Sequence, residues 1–323
     1  MVIGGGAAGF FTAISAAEKN PKADITILEG GTRVLRKVKI SGGGRCNVTH
    51  NCFDPLELSK HYPRGSRELR GAFHYWQPRD TINWFEKRGV KTKTESDGRM
   101  FPVSNKSQTI IDCLQQCCRK LGISVQLSQR VSDIVKVHDQ WKLTLSSGNT
   151  ISAEKVCLAL GSLKESKILE QLRGLGHRIH PLLPSLFAFN LPNHPMKDLS
   201  GLSVQNATIQ TMPKGKQQNG PLLITHRGLS GPAILKASAW DAVQLSEVNY
   251  KFEVSINWTG SRSPQYLSDH FNSLRKNYPT QRIIQNPFPE LPKRLWNNLV
   301  SSAHIENDTT WAHLSREKSL HLQ

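Results

Sequence analysis

The first thirty residues limit the possible folds more than any other stretch. "VIGGGAAG" (2–9) takes the end of an apolar strand into Gly4-x-Gly6-x-x-Gly9. Ala7 to Lys19 follows as a helix, with Ala8, Phe11 and Ala16 among its apolar positions. "DITILEG" (24–30) reads as the next strand and ends in Glu29. Strand, glycine turn, helix and strand in this order make a β-α-β unit. In such a unit Gly4 permits the tight turn, Gly6 lets the backbone approach a pyrophosphate, and Gly9 lets helix and strand pack closely. The helix N-terminus at Ala7 and Ala8 presents N–H groups and partial positive charge to phosphates. Glu29, twenty residues past Gly9, is placed to accept hydrogen bonds from ribose hydroxyls. A generic α/β protein could carry the same turn with Glu29 as a solvated strand end, but the complete order of elements favours dinucleotide binding.

A second glycine run, "KVKISGGGRCN" (37–47), cannot be core and is a poor helix or strand interior, because each glycine loses backbone freedom on folding. Three adjacent glycines flanked by Lys37, Lys39 and Arg45 form either a nest of backbone donors for an anion or a basic surface loop.

The chain continues as an α/β protein. "PRDTINWFEKRGV" (78–90) reads as a short helix with Asp80 as N-cap, and "DGRMFP" (97–102) as a turn into an extended segment. "SQTIIDCLQQCCRKLGI" is an amphipathic helix with a stripe of Ile110, Ile111, Leu114, Cys117, Cys118 and Leu121, stopped by Gly122. A hairpin is expected around Ser147-Gly148-Asn149, with Trp141, Leu143 and Leu145 alternating. Val156 to Leu160 is a continuous apolar run, as in a strand buried on both faces, and Gly161 ends it. Beyond about residue 185 the pattern changes to half-exposed strands, "SVQNATIQTM" and "YKFEVSIN", and after Ser261 to basic helices. Pro181, Pro184, Pro192 and Pro195 mark a boundary, giving expected domains of 1–188 and 189–323.

Lys and Arg total 42 against 25 Asp and Glu, a net charge of +17. Such a surplus favours polyanions through counterion release, although a basic surface or an anionic cofactor alone would also account for it. No stretch approaches the roughly 20 apolar residues of a spanning helix, so no membrane partner is expected. The six cysteines form no C-x-x-C pair and the twelve histidines no ligand spacing. Reduced thiols, a cytoplasmic location and no metal site are therefore expected. Oligomeric state is not readable.

Taken together, "VIGGGAAG", "KVKISGGGRCNVT" (37–49), "DGRMFPVS" (97–104), "LGHRI" (175–179) and "LLITHRGLSGPAIL" (222–235) resemble a bacterial family of NAD(P)/FAD-dependent oxidoreductases with a large insert domain. Members of that family are assigned reduction of C=C bonds in bile-acid intermediates or dihydrouridine formation in ribosomal RNA, and an aminoacetone oxidase label also circulates. The resemblance implies a Rossmann-like FAD-binding domain, with a parallel sheet and a β-meander, interrupted by a mixed β/helical domain. It implies FAD as cofactor, NAD(P)H as electron donor, and a small-molecule or RNA substrate. It places Ser41, Gly42, Gly43, Gly44, Arg45 and Asn47 around the flavin end of FAD, with Lys37 and Arg45 offsetting negative charge. A backbone group near Val131 would lie against adenine, and Gly161 would stand in a turn closing over the cofactor. Cys46 is then the candidate acid, with Arg45 beside it lowering the thiol pKa, or a small residue that only holds the loop's shape. His226 and Arg227 are substrate contacts or a structural turn. For an RNA substrate, Arg64, Arg67, Arg70, Lys87, Arg88, Lys91 and Lys93 would be available to phosphates.

Two departures stand out. "LALGSLKESKILEQL" is shorter than the corresponding segment of many relatives, and the family's late Gly-Gly-Val strand and glycine-rich helix start do not occur after residue 260. The C-terminal return to the FAD domain is therefore expected to be missing. The competing expectation is a truncated or degenerate, non-catalytic basic protein of the same fold that binds RNA.

Overall fold

In the computed structural model, which describes residues 1–162, 167–194 and 196–323, the chain opens with β1 (Val2–Ile3), α1 (Ala7–Lys19) and β2 (Thr26–Leu28). The two strands are parallel, with Val2 opposite Ile27 and Ile3 opposite Leu28, and all four residues are buried. The helix is where the sequence puts it, but a different face is buried. Phe10, Ala13, Ile14 and Ala17 point inward, whereas Ala8 and Ala16 are exposed and Phe11 is half-buried. Gly9 sets this rotation. It lies against the carbonyl of Gly4, and positions four, five and eight residues later follow it onto the same side. A helix apolar nearly all round leaves that choice open in the sequence.

After α2 (Arg36–Ile40) come β3 (Thr49–His50), α3 (Pro55–Lys60), α4 (Ser66–Tyr75), α5 (Pro78–Glu86), β4 (Thr92–Thr94) and β5 (Arg99–Pro102). The strands form a small antiparallel sheet in the order β3-β5-β4. The cap of α5 is Gln77, not Asp80. Pro78 already occupies the first helical turn, so the cap falls one residue earlier and Asp80 closes a capping box. In that box Asp80 accepts the Gln77 N–H at 2.9 Å, while Gln77 accepts the Arg79 N–H at 3.1 Å.

Next, α6 (Ser107–Lys120) buries Ile110, Ile111, Cys113, Leu114 and Cys118. Leu121 caps the helix and is exposed, and Gly122, at φ +67°, turns the chain away. Burial, reinforced by the neighbouring Cys117, pushes the Cys113 and Cys118 thiols up to about 11. Above the ordinary thiol value of 9.0 an unfolded chain releases these protons, while the folded chain holds them until about 11. Stability is therefore full below pH 9 and falls as the pH rises toward 11. Thermal unfolding at about pH 8 and about pH 10.5 should show this fall, and a Cys113→Ala/Cys118→Ala variant should flatten it.

The parallel sheet is completed by β6 (Ser124–Gln126), next to β2. Then β7 (Val131–Val137), β8 (Gln140–Leu145) and β9 (Thr150–Ala153) form the antiparallel meander, and β10 (Cys157–Leu158) returns to pair with β1. The order β10-β1-β2-β6 leaves β10 at an edge. Val156 to Leu160 is consequently half-buried rather than buried on both faces. Val156, Leu158 and Leu160 pack toward the meander cluster, and Cys157 and Ala159 toward the α1–α6 cluster, but one flank has no neighbouring strand among the described residues. Residues 163–166 of the short segment noted above lie outside the described residues; α7 (Lys167–Gly174) follows them.

The chain divides into two units, Met1–Leu182 and Leu183–Gln323; of the four boundary prolines, Pro195 lies outside the described residues. The second unit holds β11 (Phe189–Asn190), β12 (Ser203–Thr211), β13 (Gln218–Thr225), β14 (Gly228–Ser230), α8 (Pro232–Trp240), α9 (Ala242–Glu247) and β15 (Val254–Asn257). Its antiparallel sheet runs β11-β14-β13-β12-β15. Three helices, α10 (Pro264–Asn277), α11 (Lys293–Ser302) and α12 (Arg316–Leu322), complete it. One core joins Ile209, Leu222 and Ile224 of the sheet to Ala233 of α8 and to Trp296 and Trp311 of the helical part. No helix among the described residues is long and apolar enough to cross a membrane.

Candidate functional site

The first turn owes its shape to three glycines with three different reasons. Gly4 has φ +114°, and a Cβ there would lie 2.3 Å from the Ala159 carbonyl oxygen. A Cβ on Gly9 would lie 1.9 Å from the Gly4 carbonyl oxygen. Gly6 meets nothing within 4 Å among the described residues, so the turn is open on that side. Gly6 caps α1 without a side-chain hydrogen bond, and the first turn holds no acid. The helix therefore presents unsatisfied N–H groups and partial positive charge next to Ala7 and Ala8.

Glu29 is fixed beside this turn. One carboxylate oxygen accepts the Gly5 N–H at 2.8 Å and the other the Gly31 N–H at 2.7 Å. Past it, the Gln129 N–H bonds the Glu29 carbonyl at 2.8 Å and the Ser128 N–H bonds that of Gly31 at 2.9 Å. This brings the start of β7, with Val131 buried, alongside the end of β2.

The second glycine run leaves α2 as a tight left-handed turn. Gly42, Gly43 and Gly44 have φ of +56°, +67° and +83°, and Cys46 follows at +63°. Gly42 is pressed on Phe101, whose ring carbon would be 2.7 Å from a Cβ, whereas Gly43 and Gly44 face open space. The Cys46 N–H closes the turn on the Ser41 carbonyl at 3.0 Å. Lys37 reaches across to Ser162, donating to its Oγ at 2.8 Å, and its ammonium lies next to Gly161.

These two loops, forty residues apart, meet at one cavity of ≈ 550 Å³. Ala7 and Ala8 line it from the first; Lys37, Ser41, Cys46 and Asn47 line it from the second. Phe11, Trp76, Phe85, Ile110 and Leu114 supply apolar walls. The open side of Gly6, the uncapped helix end and the Lys37 cation make a cradle with the donor set a diphosphate requires.

The expected activation of Cys46 by Arg45 does not occur. Burial pushes the Cys46 thiol above its ordinary value, outweighing a hydrogen bond from Ser41. The Arg45 guanidinium is directed elsewhere: it pairs with Glu95 at 2.5 Å and lies 4.0 Å over the Phe101 ring. Glu95 and Phe101 thus hold the second glycine loop in place, and sequence reasoning missed both, although they lie in or near "DGRMFP".

His226 and Arg227 sit exposed at the turn between β13 and β14 in the second unit. Of the candidate phosphate contacts, Arg64, Arg67, Arg70, Lys87 and Lys91 are exposed and Lys93 is half-buried. Arg88 is committed internally. It pairs with Glu18, donates to the Trp84 carbonyl at 2.9 Å and covers the Trp84 ring at 3.7 Å.

A Rossmann unit with an open glycine turn, a fixed strand-end glutamate and an added meander is the architecture of a dinucleotide-binding protein, and its family places the chain among the FAD-binding oxidoreductases. The chain belongs to the HI0933-like family: residues 1–249 match the HI0933-like protein Rossmann domain, and residues 183–323 match the family's barrel and H2TH domain. It is 28% identical over 316 residues to the ribosomal RNA dihydrouridine synthase of Escherichia coli (strain K12), covering 94% of this chain and 74% of that protein. It is 25% identical over 318 residues to a 3-dehydro-bile acid delta(4,6)-reductase of Clostridium scindens, covering 95% and 76%. Among solved structures, Thermovibrio ammonificans THI4 superposes with a TM-score of 0.38 at 13% identity, covering 59% of this chain and less than two thirds (64%) of that one; this likeness adds nothing to the assignment.

Proposed function

We propose that the chain holds FAD across its two glycine loops and reduces an electron-poor C=C bond, with NAD(P)H as donor and a uracil base of ribosomal RNA as substrate, in the cytoplasm. The observation that carries this reading is that both loops line the same cavity. When bound, FAD supplies hydride transfer. In this assignment Gly4, Gly6, Ala7, Ala8 and Gly9 present backbone to the diphosphate and Glu29 accepts from ribose hydroxyls. Lys37 offsets phosphate charge, and the backbone near Val131 faces adenine. Ser41, Gly42, Gly43, Gly44, Arg45 and Asn47 surround the flavin end, and Gly161 closes the far side.

Cys46 lines the cavity as a protonated thiol, because burial keeps its pKa high. In this role it holds a proton at Sγ for the carbon next to the one reduced and does not act as a thiolate. Arg45, held on Glu95 and Phe101, shapes the loop around it. The RNA substrate is supported by the net charge of +17 and by the similarity to the E. coli ribosomal RNA dihydrouridine synthase.

The test incubates the FAD-loaded full chain anaerobically with NADPH and an unmodified transcript of ribosomal RNA, then analyses the nucleosides by mass spectrometry. The expected result is uridine gaining two hydrogens, with one NADPH consumed per dihydrouridine formed. NADPH oxidation that needs a steroid enone and ignores the transcript would overturn the RNA substrate. A chain that takes up no FAD would overturn the enzyme reading in favour of a non-catalytic binding protein.

A further inference from the structure

A second cavity of ≈ 350 Å³ lies next to the first and shares Val48, Trp76 and Thr81 as a common wall. Among its other walls Tyr62 and Phe73 are aromatic, beside aliphatic and polar residues. Tyr62 and Phe73 stand with ring centroids 5.4 Å apart, and Trp76 completes the lining. Trp76 is held firmly although 41% exposed: it meets Phe11 edge-on at 4.9 Å and donates its indole N–H to Thr81 Oγ1 at 2.9 Å. Tyr62, at 40%, and Tyr75, at 89%, extend the exposed aromatic surface around the α3–α4 hairpin.

His50 supplies a polar wall. Its Nε2 lies 3.1 Å from the Asp97 carbonyl oxygen, which can only accept. That nitrogen therefore carries the proton, and in the neutral ring Nδ1 is an acceptor. Nδ1 is buried with no partner among the described residues. On α4, Arg67, Arg70 and His74 fall at i, i+3 and i+7, an exposed stripe adjoining Phe73.

A pair of aromatic rings and a row of cations on the same hairpin fit a heteroaromatic base with phosphate on its flank. We infer that this second cavity takes a base of single-stranded RNA neighbouring the one to be reduced, with Arg67 and Arg70 on the adjoining phosphates. The inference rests on the RNA reading above. The chain's net +17 suits a polyanion better than one further dinucleotide.

The probe is fluorescein-labelled decauridylate, titrated into the FAD-loaded full chain and followed by anisotropy. Tyr62→Ala, and Tyr62→Leu as a variant that keeps apolar volume, should each weaken binding about tenfold through lost stacking. Arg67→Ala/Arg70→Ala should lower the slope of log affinity against log salt by about 1.4, about 0.7 for each phosphate. Lys19→Ala/Lys22→Ala removes the same charge at the other end of α1 and should leave the slope unchanged. Three results would overturn the inference: wild-type binding by both Tyr62 variants, equal slope losses in the two charge variants, or unchanged decauridylate binding with a raised KM for NADPH. The last would assign the pocket to the electron donor. Anisotropy needs no turnover, so a failure of this pocket is distinguishable from a failure of the reduction reaction.

Discussion

Gly9→Ala is expected to damage both the fold and cofactor binding. The new Cβ would lie 1.9 Å from the Gly4 carbonyl oxygen, a backbone atom with no flexible end to move aside. Helix and turn must separate, at about 1–3 kcal/mol. If that cost falls on the bound state, FAD affinity drops by about 5- to 150-fold. Gly6→Ala is the informative contrast. Its Cβ meets nothing within 4 Å, and its φ of −88° suits alanine, so stability should be unchanged. FAD affinity should still fall, because the methyl group would occupy the approach that the proposed site gives to the diphosphate. Urea unfolding read beside FAD fluorescence quenching separates the two effects.

Phe101→Ala should be among the most destabilising single changes in the first unit. Phe101 is fully buried, its ring supports Gly42, and Arg45 lies over it at 4.0 Å. Removing it should cost about 3–5 kcal/mol, visible as a lower urea midpoint with an unchanged slope. Arg45 would keep Glu95 but lose the surface it lies on, so the Ser41–Asn47 turn should loosen and FAD affinity fall with stability. Phe101→Leu fills most of the volume and should retain more of both properties.

What the sequence could reveal followed from how local each cause is. The β-α-β unit was legible because glycine spacing, helix and strand-end acid are short-range features with one shared geometric purpose. The β8–β9 hairpin was legible because Trp141, Leu143 and Leu145 alternate ahead of a Ser-Gly-Asn turn; the whole meander was expected only from the family resemblance. The rotation of α1 was not, since it is set by one glycine pressing on a carbonyl while apolar residues surround the helix. The edge position of β10 was equally hidden, because an apolar run does not say how many neighbours a strand has. Arg45 was misread for a related reason. Its partner Glu95 is fifty residues away, and adjacency to Cys46 in the chain said nothing about where the guanidinium points. The cavity's aromatic walls arise from helices whose order, not whose composition, brings them together.

The central claim is that the two glycine loops form one dinucleotide site. The most direct measurement is isothermal titration of the full chain with FAD, repeated in excess ADP and with Glu29→Ala and Lys37→Ala variants. The account predicts binding at one FAD per chain, competition by ADP, and weakened affinity in both variants, since Glu29 is bonded to the first glycine turn and Lys37 leads into the second. Heat from FAD that is indifferent to ADP and to both substitutions, or no heat from FAD at all, would contradict it.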